Sequence, residues 1–464
     1  MTGNTKKKFL SAVDMTQGNP AKQILIFSLP LLLGDLLQQL YNTVDSMILG
    51  NFVGSNALAA VGTSLPVVQM MIAFFMGLSV GASILIAQAY GGKDFVRLQR
   101  VINTIYTLTF CISALIAVVG VIFTPVMLRM LSTPEETFEM AQAYMRVTFV
   151  GIVSMMMYQL VRSTLNGTGD SRSLFVILFI CSVINIGLDL LFVAVFRWGV
   201  QGVAWAQIIA QSSSVAFGVW KINRDNDTFG IRLRDMRINK DSLANIFRLG
   251  IPAGTQNTLQ AVGNTMVQGI INGFGRVIMA ANLAVIKVDS LCTLPIATFG
   301  AAITVYVGQN VGAKKYDRIQ KGVWATLWMS CAFSIVVGAI LFLWGNYPLM
   351  MFTQEADVIA AGMDKFHIVA PFYVTMAIYG VLSGAVRGQG KTTVPMIIAI
   401  STMFLGRVPA AYFLPNLIGA NGLHWSLSIQ WALEAVIIII YYMIISKKGQ
   451  IGANKHLLGE NDAL

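Results

Sequence analysis

Four polar side chains form one stripe along an otherwise apolar stretch near the start of the chain. Asp35, Gln38, Asn42 and Asp45 stand at i, i+3, i+7 and i+10. On a helix turning 100° per residue they share an arc of about 80°. A later apolar stretch repeats the device with Ser182, Asn185 and Asp189 at i, i+3 and i+7. A carboxylate at the centre of a bilayer costs about 3 kcal/mol on insertion scales, so it is kept where it faces a cavity or a partner. Withdrawal from water disfavours the charged form of a carboxyl group, and a group that exchanges its proton readily can carry one. Neighbouring amides such as Asn42 and Asn185 can bond either form, because an amide both donates and accepts. A carboxylate among amide oxygens also suits Na⁺, so both ions stay open. The competing reading is a satisfied hydrogen-bond network that only ties two helices together.

The elements that carry these residues must be membrane helices. Of the 464 residues, 56% are hydrophobic and 11% charged, and the mean hydropathy is +0.68. Ordinary globular domains carry about 25% charged residues. Apolar runs long enough to span a bilayer, about 18 residues or more, recur through the chain. They read as twelve spans, the first near 24–50 and the fifth near 172–196. The expected organisation is an N-terminal segment 1–23, an N-lobe 24–222 of six spans, a polar linker 223–245, a C-lobe 246–446 of six spans and a tail 447–464.

The two lobes are copies. Gln88-Ala-Tyr-Gly-Gly-Lys-Asp-Phe-Val-Arg97 recurs as Gln309-Asn-Val-Gly-Ala-Lys-Lys-Tyr-Asp-Arg318, 221 positions later. The same offset aligns Asn166-Gly167-Thr168-Gly169-Asp170 with Arg387-Gly388-Gln389-Gly390-Lys391, and Pro30 falls one position from register with Pro252. Many secondary transporters are built from repeated hydrophobic halves, with the substrate site where the halves meet.

Charge orients the chain. Most of its 32 Lys and Arg fall in the loops on one side, including Lys6, Lys7, Lys8, Lys93, Arg97, Arg232, Lys314, Arg318 and Lys447; the opposite loops hold Arg129, Arg197 and Arg276. The positive-inside rule places both termini in the cytoplasm. The net charge of +11 is topological, and its dispersal over many loops argues against nucleic acid. No cleavable signal pattern opens the chain.

Other motifs lead nowhere. Ala385–Thr392 nearly matches a phosphate-binding loop, but its first Gly is Ala385 and no strand precedes it. Cys111, Cys181, Cys292 and Cys331 lie inside spans, without metal-ligand spacing, and read as apolar packers. His367, His424 and His456 are scattered. An integral membrane enzyme would need a clustered nucleophile or metal set.

These features together resemble the multidrug and toxic compound extrusion family, in its bacterial DinF-like and MepA-like branch. The residues that carry the resemblance are Pro30 with Asp45, the Gly-Lys-aromatic-x-Arg loops at 91–97 and 312–318, Asn166-Gly-Thr-Gly-Asp170, and Asn185-x-x-x-Asp189. The resemblance implies an all-α membrane fold of two six-helix lobes forming an inverted V. It implies efflux of drugs and organic cations in exchange for H⁺ or Na⁺, with no cofactor, by a monomer in the bacterial cytoplasmic membrane. It also implies proton or cation coupling at Asp45, Asn185 and Asp189 and a helix bend at Pro30; the stripe on the first span adds Asp35 and Asn42 as coupling candidates.

The second lobe departs from the NorM-like branch of that family. Where a seventh-span Glu would stand the chain has Gln260, and the tenth-span core lacks an acid. The repeat partners of Asp45 and Asp189 are Met266 and Ala410. Lys287 and Asp289, at i and i+2, do not share a helical face. Their readings are structural ion pairing or substrate contact. Candidate cavity residues are therefore Gln38, Gln260, Lys287, Asp289, Met70 and Met156, the methionines because flexible thioethers suit varied ligands. A flippase for lipid-linked precursors is the other alternative; it would want several cations facing the cavity.

Overall fold

The computed structural model describes residues 12–131, 133–226 and 228–447, and the backbone alone for 55–59, 63–67, 69–70 and 233. Six helical passages come first: α1 (Pro20–Phe52), α2 (Ser55–Gly91), α3 (Phe95–Met130), α4 (Glu135–Thr168), α5 (Ser171–Asp189) continued by a π turn at Leu190–Val195, and α6 (Val200–Asp225). Six more follow. They are α7 (Lys240–Asn272), α8 (Arg276–Gly312) and α9 (Tyr316–Trp344), with a short α10 (Asn346–Met350) after it. Then come α11 (Ala356–Val369) running through a 3₁₀ turn into α12 (Tyr373–Gly388), and α13 (Thr393–Ser401), a π turn at Thr402–Arg407, α14 (Val408–Phe413) and α15 (Pro415–Ile418). The last is α16 (Asn421–Lys447).

Ten of these twelve passages are apolar and long enough to cross a bilayer. The exceptions, α6 and α7, have 26 and 33 residues and so sufficient length. They fall short in apolarity, because α6 carries Gln201, Gln207, Gln211 and Ser212–Ser214, and α7 carries Gln256, Asn257, Thr258, Gln260 and Asn264. Among the described residues there is no β-strand.

The chain divides into two compact units. One holds Val13 and Leu29–Ile251; the other holds Asp14–Ser28 and the chain from Pro252 onward. Both α1 and α7 therefore contribute to both units, and each has its internal proline, Pro30 or Pro252, within two residues of the division. A proline there removes one helical hydrogen bond and favours a bend.

The repeat seen in the sequence recurs in the backbone. Positive φ occurs at Gly54 and Gly275, at Lys93 and Lys314, and at Gly169 and Gly390, each pair 221 apart. Helix contacts recur as well. In the first unit a side-chain carbon on Gly167 of α4 would lie 2.8 Å from the Ser83 carbonyl of α2. In the second, one on Gly388 of α12 would lie 2.5 Å from the Thr304 carbonyl of α8. Lipid tails are as apolar as leucine, so membrane helices gain association energy from such close packing rather than from burial. Each repeated loop also grips a different partner. In the first unit the Gln99 side-chain oxygen and nitrogen bond the backbone of Gly230 in the 223–245 segment, both at 2.8 Å. In the second, Arg318 donates to the carbonyls of Gly18 at 2.8 Å and Gln17 at 2.9 Å, and Lys315 to that of Thr16 at 2.8 Å.

Candidate functional site

In the first unit α1 supplies Asp45 and α5 supplies Asn185 and, one turn on, Asp189. Asp189 ends α5, and the π turn Leu190–Val195 begins directly after it. Single π turns of this kind are frequent at functional sites. Asp189 is fully buried and Asn185 is 1% exposed. The carboxyl groups of Asp45 and Asp189 lie within hydrogen-bonding reach of each other, and Tyr144 of α4 lies near both. Ile48, Leu49, Val193 and Val200 pack beside them in an apolar cluster that includes Tyr144.

Among the described residues this pair lacks donors. Both oxygens of Asp189, both polar atoms of Asn185 and Oδ1 of Asp45 are buried without a hydrogen-bond partner among the described residues. Two carboxylates offer only acceptors to each other. A single proton turns one of them into a donor for the other. A cation would satisfy the same oxygens by coordination. Folded proteins leave few buried polar groups unpaired, and those that remain call for a functional explanation.

The stripe on α1 splits in two. Asp35 forms an ion pair with Arg162 of α4, each side chain 23% exposed. Arg162 also donates to Gln38 Oε1 at 2.8 Å, and Tyr41 and Tyr158 lie close to its guanidinium. Asp35 and Gln38 thus belong to a charge-balanced group. The Asn42 side chain is exposed, and Pro30, half-buried, lies inside α1.

In the second unit Asp289 and Glu434, acids within its membrane helices, have donors. Asp289 of α8 accepts from the Tyr373 hydroxyl of α12. The buried Lys365 of α11 lies near it and donates to Asn282 Oδ1 at 2.9 Å. Glu434 of α16 accepts from Gln430 at 3.0 Å and Thr402 at 3.2 Å. Arg407 bonds Asn264 at 2.8 Å, and Arg387 bonds Gln256 at 3.0 Å. Lys287 is exposed, pointing away from Asp289 as the i,i+2 spacing requires. Gln260 is half-buried. Met156 is 1% exposed inside the apolar cluster with Phe75 and Phe149; the Met70 side chain lies outside the described residues.

Sequence reasoning passed over Arg162, Tyr144, Lys365 and Gln256. A signal existed for Arg162, since an intramembrane cation one helix away from unpaired acids should find one of them. None existed for Tyr144, whose neighbours depend on how α1, α4 and α5 pack.

Two six-helix lobes built on one repeat, crossing the membrane, define a secondary transporter rather than an enzyme. The MatE family model matches residues 30–191 and again 252–413, and the chain belongs to that family of multidrug and toxic compound extrusion transporters. It is similar to the probable multidrug resistance protein YpnP of Bacillus subtilis, with 28% identity over 93% of this chain and 97% of that one. Its fold is similar to that of a MATE solved in the bent conformation, with a TM-score of 0.89, 23% identity and coverage of 97% of this chain and 100% of that one. A MATE in the straight conformation matches with a TM-score of 0.88, 23% identity and coverage of 96% and 100%.

Proposed function

We propose that this transporter exports amphipathic and cationic organic compounds in exchange for protons, and that Asp45 and Asp189 carry the proton with Asn185 beside them. The observation behind this reading is the pair of facing carboxyl groups without donors. A proton arriving there gains a hydrogen-bonded seat, and its departure leaves two acceptors that need water or a conformational change. That difference gives protonation a preference between two states, which is what coupling requires. The name of the similar YpnP supports drugs as the substrate class. Solved relatives in bent and straight conformations support a fold with two shapes, and Pro30 is a fitting place for α1 to bend. The basic loops orient the chain with both termini in the cytoplasm of a bacterial cell.

The test is dye efflux from proteoliposomes under an imposed pH gradient and, separately, an imposed Na⁺ gradient. Efflux driven by the pH gradient alone, lost in Asp45→Asn and in Asp189→Asn, is the expected result. Efflux driven by Na⁺ alone would assign the same oxygens to a metal cation instead. Lipid scrambling without dye movement would favour the flippase reading.

A further inference from the structure

We propose that a groove between α9, α12 and α16 of the second unit holds one acyl chain of an anionic phospholipid, whose headgroup is drawn by Lys321 and Lys447. The groove is a cavity of about 340 Å³ lined by apolar side chains, among them Trp324 and Trp328 of α9, Ile378 and Leu382 of α12, and Tyr442 and Met443 of α16. Its size falls within the range of about 300–1,000 Å³ that suits one small amphipathic molecule.

Helical spacing puts a charge at one end only. Lys321, Trp324, Trp328 and Cys331 stand at i, i+3, i+7 and i+10, so a single face of α9 runs from a lysine into the groove. Ile439, Met443 and Lys447 stand at i, i+4 and i+8, so a face of α16 does the same. A hydrogen bond of 3.1 Å from Gln320 to Ser446 ties those two helix ends together, which brings the lysines to the same mouth. Both lysines are exposed. Asp317, one turn before Lys321, is also exposed, and no ion pair joins them among the described residues.

The lining adds two arguments. Trp324 is 62% and Trp328 75% exposed, and tryptophan beside lysine is the usual anchoring pair at the lipid headgroup level. Tyr442, whose ring lines the groove, adds another aromatic side chain of the kind enriched at that level. An organic cation would meet repulsion at this mouth, whereas an anionic headgroup gains from both lysines.

The probe is the full chain in phosphatidylcholine vesicles containing either brominated phosphatidylglycerol or brominated phosphatidylcholine. Bromine on the acyl chain quenches nearby tryptophans, and the quenching lost in Trp324→Phe/Trp328→Phe isolates the groove. Each lysine near an anionic headgroup contributes about fivefold in affinity, so the glycerol lipid should half-quench this component at about twenty-fivefold lower mole fraction. Lys321→Gln/Lys447→Gln should bring the two lipids level while leaving the quenching by phosphatidylcholine unchanged. Equal quenching by both lipids in the unaltered chain would overturn the proposal, as would a preference that survives in the double variant. Relief of quenching by added ethidium would overturn it too, by making the groove a drug site.

Discussion

The two lobes share a backbone plan and differ in how they treat buried acids. In the first unit Asp45 and Asp189 face each other without donors among the described residues. In the second, Asp289 has Tyr373, and Glu434 has Gln430 and Thr402. Even the π turns diverge. Both lie in the fifth helical passage of their lobe, yet one begins after the acid Asp189 and the other ends on the base Arg407. The scaffold occurs twice, and among the described residues the buried carboxyl oxygens left without a hydrogen-bond partner lie in the first unit.

The comparison breaks first at the acid pair. Asp45→Asn and Asp189→Asn should each bring proton-driven efflux down to vector level, because asparagine keeps shape and polarity but does not titrate. Both proteins should melt no lower than the unaltered chain, since an amide supplies the missing donor. Wild-type efflux in either variant, measured in everted vesicles, would remove the pair from coupling. The same substitution at Glu434 sharpens the contrast: Glu434→Gln should leave the driving ion unchanged.

The next effect concerns the other half of the α1 stripe. Arg162→Ala strands Asp35; loss of one partner of a fully buried pair costs about 3 kcal/mol, and this half-buried pair should cost less. Thermal melting in detergent should fall for Arg162→Ala and recover in part for Arg162→Ala/Asp35→Ala. Additive losses would mean that the two charges do not act together.

A smaller effect is expected at Pro30. Pro30→Ala restores a backbone donor and stiffens α1. Dye binding at high pH should survive while acid-triggered release slows. An unchanged release profile, followed by dye fluorescence across a pH series, would count against bending as the transmitting step and leave Asp45 untouched. The smallest change is expected from Gln260→Ala, which should reduce transport about twofold to fivefold, the worth of one neutral hydrogen bond, without changing the driving ion. Loss of ion coupling there would put the second lobe in charge.

Much of this was legible in the residues. The offset of 221 that aligns Gln88 with Gln309 also aligns Lys93 with Lys314, and the backbone takes the same left-handed turn at both lysines. Periodicity placed Asp35, Gln38 and Asp45 on one face of α1, and composition marked the acids as costly. What periodicity lacks is the partner helix. It could not separate Asp35, which has Arg162, from Asp45, which has Asp189, because that depends on what α4 and α5 bring to each level of the stripe. The exposed Asn42 is a case of the same kind, a residue on the expected face whose surroundings one helix alone does not determine. The buried amide of α7 likewise proved to be Gln256, which bonds Arg387 and Tyr379, while Gln260 one turn on is half-buried.

The grip of Arg318 on the chain near residue 17 has a consequence for variation. Arg318, Lys315 and Asn310 hold Met15, Thr16, Gln17 and Gly18 by their carbonyl oxygens. Every residue type has a carbonyl, so this grip asks nothing of the exposed Gln17 side chain, whereas Thr16 is buried with its hydroxyl donating to Asp14 at 2.6 Å. For the protein engineer the same asymmetry marks the exposed residue 17 as tolerant of a label or an altered side chain, and Thr16 and Arg318 as positions to leave alone.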